Sequence, residues 1–146
     1  MYYYDYNHAD IRLFDTTEVD LHYRATISRN PIRDFRLQKW LKNNGRNHVI
    51  FNEHVGFAVP DFTLGLILTL IHNLFHLLNE GVGLRQFIDL YYIVKSYQGE
   101  THVKKLIRHF KLEDFATSCS WLLWHYFEGE TLFCVIENMI STSTTE

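Results

Sequence analysis

Two amphipathic helical runs joined by a glycine bend, residues 70–94 (LIHNLFHLLNEGVGLRQFIDLYYIV), constrain this chain more than any other stretch. Apolar residues recur at helical spacing on both sides of Gly81 and Gly83, so the segment reads as a helix pair with apolar faces to bury. The bend also gathers His72, His76, Arg85, Gln86 and Asp89. A pair built only for packing has little need of five such groups around one turn, and this concentration points to a site.

The rest of the chain supports one ordinary domain with a real core. It has 146 residues, 47% of them hydrophobic and 16% aromatic, which is a globular and not a disordered composition. A net charge of −3 weakens the electrostatic case for nucleic acid, which needs a basic surface. Cys119 and Cys134 stand in helical-looking sequence without zinc-binding or disulfide spacing. They read as reduced, buried thiols of a cytoplasmic protein. The first ten residues, MYYYDYNHAD, lack the basic and apolar regions of a signal peptide. The longest apolar run, 62–78, is interrupted by Thr63, Thr69, His72, Asn73 and His76. It reads as a core helix and not a membrane span, which normally needs about 20 mostly apolar residues.

Residues 9–14 and 18–24 read as strands around an Asp15-Thr16-Thr17 turn. In the second strand Val19, Leu21 and Tyr23 fall on one face, and Glu18, Asp20, His22 and Arg24 on the other. After Pro31, residues 33–42 read as a short helix with Phe35, Leu37, Trp40 and Leu41 as its apolar side. Residues 47–59 show no period and read as loop or irregular strand. The long helix begins at Pro60-Asp61 and runs to about 80. The next covers 84–96, with Leu84, Phe87, Ile88, Tyr91 and Tyr92 as its core face, and further helices cover 101–110, 112–127 and 131–140. The three tryptophans, Trp40, Trp121 and Trp124, read as core aromatics. The fold class is therefore α+β, mostly α: an N-terminal β-hairpin over 1–30, then a helical bundle over 31–146. A lone hairpin is marginal in water, so its strands are expected to belong to a larger sheet completed elsewhere.

Three segments, Val19-Asp20-Leu21-His22-Tyr23-Arg24, Arg36-Leu37-Gln38-Lys39-Trp40 and the 72–92 block with GVGLRQFIDLYY, resemble in order and spacing the C-terminal part of a bacterial nucleotidyltransferase family of the DNA polymerase beta-like superfamily. The resemblance implies a nucleoside triphosphate substrate and Mg2+, with the acceptor unspecified. In that superfamily a Gly-Ser turn and an acidic pair spaced by one residue precede a third carboxylate from a later strand. Two divalent metals held by such carboxylates steady the attacking and leaving oxygens of nucleotidyl transfer.

By resemblance Asp20 is the third carboxylate, a catalytic and metal-binding position. His22, Arg24 and Arg85 are substrate-binding positions, with His72, His76, Gln86 and Asp89 supporting them. The chain departs from the pattern ahead of Asp20. There is no glycine before Gly45, and Asp5, Asp10, Asp15 and Asp20 are spaced by five, not two. The expectation is a truncated relative, inactive alone.

Each of these residues also has a plainer reading. Asp20, His22 and Arg24 suit a solvated strand face. His72 and His76, at i and i+4, suit either a zinc or copper ion or a hydrogen-bonded helical interface, with Asp89 as the natural orienting partner. Arg85 and Asp89 suit a helix-surface pair. Gly81 and Gly83 serve the bend. Two other function classes follow: a non-catalytic helical module that pairs with another chain completing the sheet, and a metal-binding helical protein.

Overall fold

A computed structural model of the chain describes residues 3–4, 8–14, 17–79, 81–97 and 102–128. Three antiparallel strands open it: β1 (Tyr3–Tyr4), β2 (His8–Phe14) and β3 (Thr17–His22), in the spatial order β1-β2-β3. The expected N-terminal hairpin is present as β2–β3, and β1 adds a short third strand on the far side of β2. Among the described residues β3 lies at the edge of this sheet. Cross-strand partners are His8–His22, Ala9–Leu21, Asp10–Asp20, Ile11–Val19 and Arg12–Glu18, and the register shifts between Arg12 and Phe14.

Helix α1 (Pro31–Asn44) starts as its sequence dictates. Asn30 is the N-cap, its side chain accepting from the backbone N–H groups of Ile32 at 3.0 Å and Arg33 at 3.1 Å. Pro31 takes the first turn, where its missing N–H costs nothing. The helix seats Leu37 fully in the core, with Trp40 and Leu41 packed against it. Phe35, expected on that face, is exposed, so the buried stripe is narrower than the apolar pattern suggests.

The segment expected to be loop has structure of its own. After a 3-10 turn at Gly45–His48, β4 (Val49–Asn52) and β5 (Phe57–Pro60) pair antiparallel. This second hairpin exposes Ile50, Phe51 and Phe57. Pro60 ends β5, and Asp61 caps the next helix, accepting from Leu64 N–H at 2.8 Å.

That helix, α2 (Phe62–Asn79), is the spine of the core. By length and composition it passes the test for a membrane-crossing segment. Leu66, Ile67, Leu70 and Ile71 are nonetheless buried against the other helices, while Leu77 and Leu78 stay exposed. Gly81, at φ +91°, breaks the chain after it and donates its N–H to His76 C=O at 2.8 Å. Helix α3 (Leu84–Lys95) buries Leu90, Tyr91 and Val94, with Phe87 partly buried. The expected core face is therefore rotated: Leu84 and Tyr92 are exposed, and the buried positions follow the i, i+3, i+4, i+7 stripe from Phe87.

Helix α4 (Val103–His109) and helix α5 (Glu113–Leu123) complete the core through Val103, Ile107, Ala116, Cys119 and Leu123, and a π-helical turn follows at Trp124–Glu128. Phe110 and Leu112, in the turn between α4 and α5, are fully buried. Trp40 and Trp124 are half-buried, but Trp121 is exposed, contrary to its expected core role. The expected helix over 131–140 and Cys134 lie outside the described residues.

Candidate functional site

Residues 23–30 carry the chain from β3 to α1, and α1 holds them in place. Asp34 accepts from Ser28 N–H at 3.0 Å and pairs with Arg24 at 3.4 Å. Gln38 donates to Thr26 C=O at 3.0 Å, and Thr26 is buried. Arg29 reaches Leu78 C=O near the end of α2 at 3.2 Å. Arg24, read from sequence as a phosphate contact, is therefore engaged with a carboxylate.

This bracing sets the end of β3 beside the middle of α2. An open cleft of about 260 Å³ lies there, lined by His22, Ala25, Leu68, Thr69 and His72. One turn along α2 the His72 and His76 rings meet edge to face, with centroids 4.4 Å apart. Partial desolvation holds the His72 imidazole below its ordinary pKa, and the neighbouring His76 and His22 push the same way. The tertiary structure thus brings together His22, His72 and His76. His22 and His72 arrive from elements fifty residues apart.

For Asp20 the backbone position is described: it lies in β3 two residues before His22, opposite Asp10. The other residues of the bend are placed elsewhere. Arg85 and Asp89 are exposed on α3, and among the described contacts none joins them to each other or Asp89 to His72. Gln86 contributes through its backbone, accepting at 3.2 Å from the side-chain amide of Asn73 on α2. Asn73 is buried, and among the described residues its Oδ1 has no partner. The Gln86 side chain lies over Gly83, where an added Cβ would sit 2.9 Å from Gln86 Oε1. That atom is the movable end of a flexible side chain, so of the two glycines it is Gly81, with its left-handed backbone, that the bend requires.

A second polar cluster escaped sequence reading. His48 donates from Nδ1 to Asp61 Oδ2 at 2.8 Å, and its ring stacks on Trp40 at a centroid distance of 5.2 Å. His102 Nε2 is hydrogen-bonded to the buried Thr63 Oγ1 at 2.9 Å, and the His48 and His102 rings lie 6.0 Å apart. Asp61, standing before an apolar run, carries a readable cap signal. Nothing in the residue order pairs it with His48 or sets His102 beside Thr63. Since Asp61 also caps α2, the cluster fastens the β4–β5 hairpin and the start of α4 to that helix.

Among the described residues, no group of three His, Cys, Asp or Glu side chains is arranged to hold a metal ion. Comparison with protein-family models, with curated proteins and with solved structures finds no match for this chain.

Proposed function

We propose that this chain forms one wall of a nucleotidyltransferase-type site and does not complete the transfer reaction by itself. The observation that supports this reading is the cleft beside the edge strand that carries Asp20. His22 and Thr69 offer hydrogen-bonding groups there, beside β3, which among the described residues is the edge that another chain could extend. The ligand class is a nucleoside triphosphate. Its affinity for this wall alone is weak, because Arg24 is paired with Asp34 and His72 is held neutral near pH 7.

Magnesium, implied by the resemblance, does not fit the described lining. Mg2+ wants a shell of oxygens from carboxylates, phosphates and water, whereas the cleft presents imidazoles and one hydroxyl. The sequence also contains no Gly-Ser turn and no aspartate pair spaced by one residue. A partner chain supplies the missing carboxylates in this proposal.

Triphosphate binding and turnover by the purified chain, with and without Mg2+, test it. The expected result is binding that weakens in His22→Ala and His72→Ala and yields no turnover. Turnover abolished by Asp20→Ala overturns the inactive assignment. No binding overturns the nucleotide assignment.

A second reading, a non-catalytic module that docks on another chain, is favoured by the β4–β5 hairpin, whose Ile50, Phe51 and Phe57 are exposed. Sedimentation of the isolated chain bears on it. A monomer that stays soluble and unfolds cooperatively speaks against an obligatory partner.

A further inference from the structure

The net charge of −3 hides an uneven distribution. Ten of the fourteen lysines and arginines fall within residues 29–46 and 104–111, together with one of the seventeen acidic residues, Asp34. Ten cations against one carboxylate put these two segments at +9 and the rest of the chain at −12. In space the segments meet. Arg33 and Arg36 on α1 donate to the carbonyls of His109, Phe110 and Lys111 at the end of α4. A small cleft at this junction is lined by Arg33, Arg36 and Lys111. Lys39 and Lys42 continue outward along α1, and Lys105 and Arg108 along α4, all four exposed. Asp34 is engaged with the 23–30 segment, where it holds Ser28 and Arg24. The next acidic residues along the chain, Glu113 and Asp114, begin α5.

Bulk charge is the wrong measure for such a surface. The Debye length is about 8 Å at physiological ionic strength, so an anionic partner at this face feels its cations more than carboxylates further away. The apolar residues among the cations indicate which anion fits. Ile32 and Phe35 are 63% and 68% exposed near the start of α1, interleaved with Arg33 and Arg36. Arg29 donates to Leu78 C=O, and Leu78 is exposed as well. A nucleic acid can stack a base on Phe35 but gains little from aliphatic side chains such as Ile32 and Leu78. A bilayer interface accepts all three. Apolar side chains enter the boundary between headgroups and acyl chains, while surrounding lysines and arginines meet anionic headgroups.

We infer that the α1–α4 face is a peripheral docking surface for a membrane rich in anionic phospholipid. Ile32 and Phe35 enter the bilayer interface, and Arg36, Lys39, Lys105 and Lys111 hold the headgroups around them. Arg33 and Arg36 spend donors on the carbonyls of α4 yet keep their charge, so they fix the two helices together and add to the field. This goes beyond the nucleotide reading and does not rest on it, since none of these residues lines the cleft at His72.

The full chain is sedimented with vesicles of phosphatidylcholine alone and of phosphatidylcholine carrying about 30% phosphatidylserine, which gives a negative surface potential. The expected result is capture by the phosphatidylserine vesicles only, lost as salt is raised toward about 1 M, where the Debye length falls to about 3 Å. Lys39→Gln and Lys105→Gln, both at exposed positions, are each expected to weaken capture about fivefold. Phe35→Ala is expected to weaken it about tenfold through lost apolar burial, with the salt dependence kept. Equal capture by the neutral vesicles, or no capture of the unaltered chain by either, overturns the inference whether or not any variant folds. Binding of a single-stranded oligonucleotide that Lys39→Gln and Lys105→Gln weaken, without vesicle capture, assigns the face to nucleic acid and also overturns it. Triphosphate binding is read in a separate assay, so either proposal can fail alone.

Discussion

Arg33 on α1 donates its Nε to the carbonyl of Phe110 at 2.7 Å, in the turn that ends α4. A second guanidinium nitrogen reaches Lys111 C=O at 2.9 Å, and Arg36 reaches His109 C=O at 3.2 Å. Two arginines thus satisfy carbonyls at the end of a short helix, where positive charge also complements the helix dipole. Part of the segment that carries the family resemblance, Arg36, has this structural duty.

Arg33→Ala is expected to destabilise the chain by about 1.5–3 kcal/mol, the usual worth of hydrogen bonds from a charged donor. Arg33→Lys recovers only part of this, because a point charge cannot serve both carbonyls as the planar fork does. Urea unfolding of the two variants measures the difference.

Asp61 both caps α2 and holds His48. Asp61→Ala is expected to cost about 1–2 kcal/mol through loss of the cap. Asp61→Asn, which keeps a cap acceptor, costs less. Thermal melting ranks the three proteins, and amide exchange at Leu64 reports the cap directly.

The histidine pair on α2 predicts a pH dependence of stability. The His72 pKa is lower in the folded chain than in the unfolded chain, so the unfolded chain binds more protons between the two values. This contribution is intact above about pH 6.5 and is lost as pH falls toward the folded-state value. NMR titration should find His72 below its ordinary pKa, and His76→Gln should move it upward. An unchanged His72 titration in His76→Gln would contradict the coupling.

Cys119 is buried, and burial pushes its thiol up to about 12. Thiolate is the reactive form, so the native chain at pH 8 should leave Cys119 unalkylated by iodoacetamide, with full reaction in guanidinium. Peptide mass spectrometry separates it from Cys134.

Lys111 adopts a left-handed backbone, φ +52°, in the turn between α4 and α5. Lys111→Gly removes a steric cost of about 1–2 kcal/mol but adds freedom to the unfolded chain. The expected net gain is below about 1 kcal/mol, read as a small rise in Tm.

Local pattern determined much of this protein. The 3.6-residue period of 62–79 and the glycines after it specify α2, the bend and α3. Asn30 and Pro31 specify the start of α1, and the alternation in β3 separates its polar and apolar faces. These are properties of neighbouring residues, readable in order. The tertiary structure decided the rest. It paired 49–52 with 57–60, which have no clear alternation, and turned α3 so that Leu84 and Tyr92 face outward. It set His22 at His72, His48 at Asp61 and Asp10 opposite Asp20, while leaving Arg85 and Asp89 apart on an exposed face. Helical spacing says that residues share a stripe but not which stripe the other helices will cover. Strand alternation says that residues share a face but not which residues the register will set across from them. Those choices depend on packing between segments distant in sequence, and they determine which of the chain's chemical groups meet.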